Sequence, residues 1–201
     1  MEIVSSLLLI KYTLTNAYKF RDELFDIIEK AVNNRLQLVD LKADFLISDN
    51  TIKVLILDFD GVLSTHGKNR PSVPVVKWLE DVIKLVEQER IFILTNAVTY
   101  KRKSYFSDHY PSIHFVEGVR RKPYPDGILK ILDITKCKPD EAIIIDDRIL
   151  TGILAGLISG VRTIYISKPL IDVTANFVNE IFFMGLRIIE KILIRIMVKI
   201  K

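Results

Sequence analysis

From Ile52 onward, short apolar runs alternate with longer segments whose apolar positions recur every three or four residues. Val54 to Leu57, Ile91 to Leu94, Ile113 to Val116, Ala142 to Ile145 and Arg162 to Ile166 are the short runs. Val54-Leu55-Ile56-Leu57 is continuous and rich in branched residues, which suits a strand covered on both faces. Between the runs, Val75 to Arg90 (Val76, Leu79, Val82, Ile83, Val86), Asp126 to Thr135 and the glycine-containing Leu150 to Ile158 read as helices. Strand and helix alternating at this spacing predict an α/β fold, a doubly wound (Rossmann-like) parallel sheet of about five strands with helices on both faces.

The two flanks have a different texture. Tyr18, Phe20, Leu24, Ile27, Ile28, Ala31 and Leu36 fall near the 3.6-residue period and predict a helical N-terminal extension over residues 1–50, closing at the Asp49-Asn50 turn signal. Residues 51–170 form the core. In the last segment, 171–201, Arg187, Lys191, Arg195 and Lys199 recur every four residues, with Phe182, Phe183, Ile188, Ile189, Ile192, Leu193 and Ile196 around the rest of the turn. That is a basic amphipathic helix.

Composition narrows the class. A chain of 201 residues that is 49% hydrophobic and 27% charged is not disordered, and it can bury a core without disulfide staples. The lone Cys137 allows no internal disulfide, so cytosolic residence is the expectation. Leu7 to Ile10 is too short, and lacks the basic flank, for a signal peptide. No run of ~20 residues is free of charges, as a spanning helix requires. Residues 178–201 hold five basic against two acidic residues, a net +3 of the chain's +4. The charge therefore sits in the tail.

In doubly wound sheets, ligands bind beyond the carboxyl ends of the strands. Those positions hold Asp58 and Asp60, then Thr95 and Asn96, then Lys122 in the loop before a helix, then Asp146 and Asp147. Carboxylates, a hydroxyl, an amide and a lysine converging in one crevice point to phosphoryl transfer, with hard oxygen ligands for Mg²⁺. Asp58 reads as the nucleophile that forms an aspartyl-phosphate, and Asp60 as the general acid and later base. Gly61 lets the backbone approach a phosphate, Thr95 and Asn96 donate to its oxygens, and Lys122 neutralises charge.

Asp58-Phe59-Asp60-Gly61-Val62-Leu63, Leu94-Thr95-Asn96, Lys122-Pro123-Tyr124-Pro125-Asp126-Gly127 and Ile143-Ile144-Ile145-Asp146-Asp147 resemble, in order, the four motifs of the haloacid dehalogenase (HAD) superfamily. The resemblance covers residues 52–166. It implies a HAD-like catalytic core with Asp58 as nucleophile, Asp60 as acid/base, Thr95 as phosphate-binding hydroxyl, Lys122 as the neutralising lysine and Asp147 as a metal ligand. Mg²⁺ would also be held by Asp58 and the backbone carbonyl of Asp60. The Asp at position 60 favours a phosphatase over the dehalogenases of the superfamily. One departure concerns the fourth motif, where Asp146 stands in the usual glycine position and Gly152 in that of a second Asp. Asp146 then supplies the charge, and either Asp146 or Asp147 ligates the metal directly.

Asp60 and Thr95 are 35 positions apart, and Asn96 and Lys122 are 26 apart, spacings that leave no room for an inserted cap domain. Among capless members the chain is similar to the YqeG-like class IIIA phosphatases, relatives of the phosphatidylglycerophosphate phosphatases, through Arg121-Lys122-Pro123 and through Asp147 to Thr151 followed by Gly152, Gly156 and Gly160. That resemblance implies a lipid phosphate as substrate. Asp-Phe-Asp-Gly-Val-Leu also resembles capless sugar-phosphate phosphatases, and a non-catalytic phosphate-binding or scaffold protein is a further alternative. The tail has two readings: peripheral contact with a membrane through residues 178–201, or packing on the body or on a second copy in an oligomer. No nucleic-acid partner is expected, Lys101-Arg102-Lys103 reading as a solvated helix face. His66, His109 and His114 have no metal-ligand spacing and read as surface or edge residues.

Overall fold

In a computed structural model the chain is described over residues 2–42, 51–86, 88–174 and 176–200. The expected Asp49-Asn50 turn lies outside the described residues. Five strands, β1 (Val54–Leu57), β2 (Ile91–Ile93), β3 (His114–Phe115), β4 (Ala142–Asp146) and β5 (Arg162–Tyr165), form one sheet in the order β3-β2-β1-β4-β5. Every pairing is parallel, with Leu57 opposite both Ile93 and Ile145. This is the doubly wound α/β fold, and the direction in which successive strands are laid down reverses between β1 and β4. The residues that end those two strands therefore face one crevice.

The helices follow from the same apolar periodicity. Helix α3 (Val73–Ile83) buries Val75, Leu79 and Val82 against one face of the sheet, and α4 (Tyr100–His109) adds Phe106 there. Helix α5 (Asp126–Thr135) buries Ile128 and Ile131 on the opposite face, among Val54, Ile56 and Ile144. The helix expected over Val75 to Arg90 stops at Ile83, and a separate 3₁₀ turn covers Gln88–Arg90. The glycine-containing helix divides into a π-helical turn, Ile149–Ile153, and α6, Leu154–Ser159.

Helices α1 (Glu2–Lys19) and α2 (Arg21–Asn33) make up the N-terminal extension. Leu24 and Ile28 of α2 are buried with Ile149, Leu154 and Tyr165, so the extension packs on the β4 to β5 side of the core. Tyr18, placed on the buried face by period alone, is exposed. The C-terminal segment is α7 (Phe177–Lys199), which contributes Ile194 to the same cluster. No described helix is long and apolar enough to cross a membrane.

Candidate active site

Asp58 follows β1, Asp146 ends β4 and Asp147 follows it, so adjacent strands bring three buried carboxylates together. One oxygen of each lies within 4.8 Å of the others. Lys122 reaches between them, its Nζ 2.7 Å from Asp58 Oδ1 and 2.5 Å from Asp146 Oδ2. Asn96 holds the lysine's backbone: its Oδ1 accepts from the Lys122 N–H at 2.8 Å, and its Nδ2 donates to the Lys122 carbonyl at 3.2 Å. The Asn96 amide is thus engaged with the Lys122 loop. Thr95 is buried at the end of β2, and its Oγ1 accepts from the Ala97 N–H at 3.2 Å.

Gly61 adopts φ +84°, a left-handed conformation that favours glycine. Space requires glycine there as well, because a Cβ would overlap the Asp147 carboxylate. Asp60 lies outside the three-carboxylate cluster. Arg102 takes both of its oxygens, with Nη1 to Oδ2 at 2.8 Å and Nη2 to Oδ1 at 2.6 Å, and the guanidinium sits 4.0 Å above the Phe59 ring. Arg102 also donates to the carbonyls of Lys68 and Ala97. The expectation of a solvated face at 101–103 fails for this residue, since α4 turns Lys101 outward and Arg102 inward.

Helix α7 lies along the crevice and presents Glu180, Phe183, Arg187 and Glu190 to it. Glu180 accepts from the His66 backbone N–H and pairs with its ring at Nδ1 (3.1 Å), while Phe183 stacks on that ring at 3.9 Å. Glu190 binds Arg148 and accepts from the Ile149 N–H at 3.0 Å. Arg187 donates through Nε and Nη2 to Asp147 Oδ2, the former at 2.7 Å. His66 is therefore buried at the site, contrary to the surface placement expected of it. A pocket of about 350 Å³ opens among Asp58, Asp60, Thr95, Lys122, Asp147 and Phe183.

The site is short of positive charge. Burial pushes Asp58 up to about 8 against the pull of Lys122, with Asp146 and Asp147 adding to the rise. Burial likewise pushes Asp147 up to about 7 against Arg187. For Lys122, burial works downward, but Asp146 and Asp58 outweigh it and hold the ammonium charged. Asp147 Oδ1 is buried with no hydrogen-bond partner among the described residues. An orphaned carboxylate oxygen within a cluster of hard oxygen donors fits a divalent cation such as Mg²⁺.

Arg102, His66, Phe183 and Arg187 lie outside the four motifs. A signal for the last two does exist: Glu180, Phe183, Arg187 and Glu190 are spaced three, four and three apart, which places three charged residues on one face of a largely apolar helix. Such a face needs charged partners wherever it packs.

A family model described as mitochondrial PGP phosphatase matches residues 25–171. No curated protein matches the chain. Among solved structures, a haloacid dehalogenase-like hydrolase of Streptococcus pneumoniae is 14% identical, with TM-score 0.47 over 65% of this chain and 91% of that one. An uncharacterized protein from Corynebacterium glutamicum is 16% identical, with TM-score 0.45 over 67% and 94%. A HAD-superfamily hydrolase of subfamily IA from Geobacter sulfurreducens is 21% identical, with TM-score 0.39 over 57% and 89%. Likenesses this distant carry no argument about activity.

Proposed function

Because the chain belongs to the mitochondrial PGP phosphatase family and is a phosphatase, we propose that it hydrolyses a membrane-lipid phosphomonoester such as phosphatidylglycerophosphate through an aspartyl-phosphate on Asp58. The observation that carries this reading is Lys122 bridging Asp58 and Asp146 within a buried group of three carboxylates at the reversal point of the sheet. A fixed cation beside a strand-end carboxylate lets that carboxylate approach a phosphate dianion.

The roles follow from position. Asp58 attacks phosphorus, forming an aspartyl O–P bond as the bond to the leaving oxygen breaks, and Asp60 gives that oxygen a proton. Asp60 then takes a proton from water, whose oxygen attacks phosphorus and releases inorganic phosphate and the Asp58 carboxylate. Arg102 holds both oxygens of Asp60 and so fixes the orientation of that carboxyl for both proton transfers. Asp58, Asp146, Asp147 and the backbone carbonyl of Asp60 would hold Mg²⁺, which when bound supplies charge neutralisation for the phosphoryl group. Thr95 donates to a phosphoryl oxygen, Gly61 gives the phosphate backbone access, and Asn96 keeps the Lys122 loop in place.

Exposed apolar side chains support a lipid substrate. Ile181, Phe182, Ile188, Ile189, Ile192 and Ile196 of α7 face outward, as do Leu7, Leu8, Ile10 and Leu14 of α1. Of the basic stripe, Arg187 turns inward onto Asp147, whereas Arg195, paired with Glu29 at 3.0 Å, and Lys199 stay exposed. The helix thus offers a membrane interface its apolar side, as an interfacial helix does. Phosphate release from phosphatidylglycerophosphate in anionic vesicles, compared with release from an aryl phosphate and a sugar phosphate, tests the assignment. Phe182→Ser combined with Ile189→Ser should lower lipid turnover and vesicle binding while leaving aryl phosphate turnover intact. Equal lipid turnover in that variant contradicts the membrane reading, preferred sugar-phosphate turnover contradicts the substrate, and no turnover of any ester contradicts catalysis.

A further inference from the structure

Two arginines meet site carboxylates in different ways. Arg102 spans both oxygens of Asp60 in a fork and so gives each of them a charged partner. Arg187 places two donors on one oxygen of Asp147, Oδ2, and leaves Oδ1 buried without a partner among the described residues. A cation standing in for a metal would be expected to straddle both oxygens. One that fixes the carboxylate's rotation while leaving the second oxygen bare does the work of an outer partner to a metal ligand.

The surroundings fix this contact firmly. Gly61 has no Cβ where one would overlap Asp147 and lie 2.9 Å from Arg187 Nη2. Glu190, one turn further along α7, holds Arg148 and the Ile149 N–H, the two residues after Asp147. Glu180 holds His66, in the loop that follows Asp58 and Asp60. The three charged residues of α7 that face the site are buried, at 0% exposure for Glu180, 6% for Arg187 and 5% for Glu190. Helix α7 thereby grips both loops that carry the acidic motifs.

We propose that Arg187 is a positioning residue for Asp147, clamping Oδ2 so that Oδ1 is presented to the divalent cation, and that α7 is in consequence a required part of the metal site. The inference rests on the reading of Asp147 as a metal ligand. It separates α7 into a site face and an outward apolar face, two roles that different substitutions reach.

Direct titration of the full chain with Mn²⁺, with free Mn²⁺ followed by electron paramagnetic resonance, tests it without recourse to turnover. Wild type should bind Mn²⁺ and Asp147→Asn should not. Arg187→Gln should weaken binding on the order of 10–100-fold, Arg187→Lys by a smaller factor, and Arg195→Gln, which breaks only the pair with Glu29, by none. Should Arg187→Gln fail to fold, Arg187→Lys decides the matter, with its fold checked by circular dichroism. Affinity equal to or tighter than wild type in the folded Arg187 variants would overturn the proposal while leaving the metal reading intact. Absence of Mn²⁺ binding in wild type would overturn that reading and the proposal with it.

Discussion

Gly152 stands directly against Asp146: a Cβ built at position 152 would overlap the Asp146 carboxylate. The two residues exchange the usual places of glycine and aspartate in the fourth motif of the resembled superfamily, and the space at the end of β4 admits one carboxylate. Gly152→Asp alone should crowd Asp146 off Lys122 and abolish phosphate release. Adding Asp146→Gly to that variant should restore release, because the carboxylate then returns from the other side. Colorimetric phosphate assays on the single and double variants check this, and a double variant no better than the single one would count against the exchange.

Lys122 is the only side-chain cation shown contacting Asp58 and Asp146 among the described residues. Lys122→Met should reduce turnover by roughly 10²–10³-fold, as the loss of a fixed electrostatic donor does. In metal-free protein near neutral pH it should also cost about 3–5 kcal/mol of stability, since the buried Asp146 carboxylate loses its cation. Chemical denaturation in the presence of a chelator measures the second effect.

The metal-free protein should become less stable as pH rises. Asp58 at about 8 and Asp147 at about 7 keep protons that the unfolded chain, with both groups near the ordinary 3.8, has already released. The folded state binds more protons between roughly pH 4 and 8, so stability contributed by these groups is present below that window and lost through it. Calorimetric melting in chelator should therefore fall more steeply with pH for wild type than for Asp58→Asn, which has only the Asp147 proton to lose there. Parallel curves would contradict the assignment.

Arg102→Gln should slow turnover by on the order of 10²-fold through misplacement of Asp60. A folded variant with unchanged turnover would remove Arg102 from the account.

The strands and the placing of Asp58, Asp60, Lys122, Asp146 and Asp147 beyond their ends were legible because buried parallel strands are short apolar runs, and ligand crevices open where those runs stop. Arg102 was not, because a Lys-Arg-Lys run on a helix gives no sign of which member turns inward. The tail was half legible. Its period announced a helix, but pairing of Arg187 with Asp147 and Arg195 with Glu29 joins residues 40 and 166 positions apart, and such partners exist only once the sheet has formed. This pairing also changes what truncation means: deleting residues 178–201 removes Glu180, Arg187 and Glu190 together with the apolar face, so it should abolish turnover of soluble esters as well as lipid.

Covalent chemistry on Asp58 is detected most directly by a rapid acid quench of the Mg²⁺-loaded protein with ³²P-labelled substrate, followed by peptide mapping. Transient label should appear on the peptide containing Asp58, reducible by borohydride and absent from Asp58→Asn, which should also release no phosphate. Phosphate release without label at any time, together with retained turnover in Asp58→Asn, would contradict covalent chemistry on Asp58.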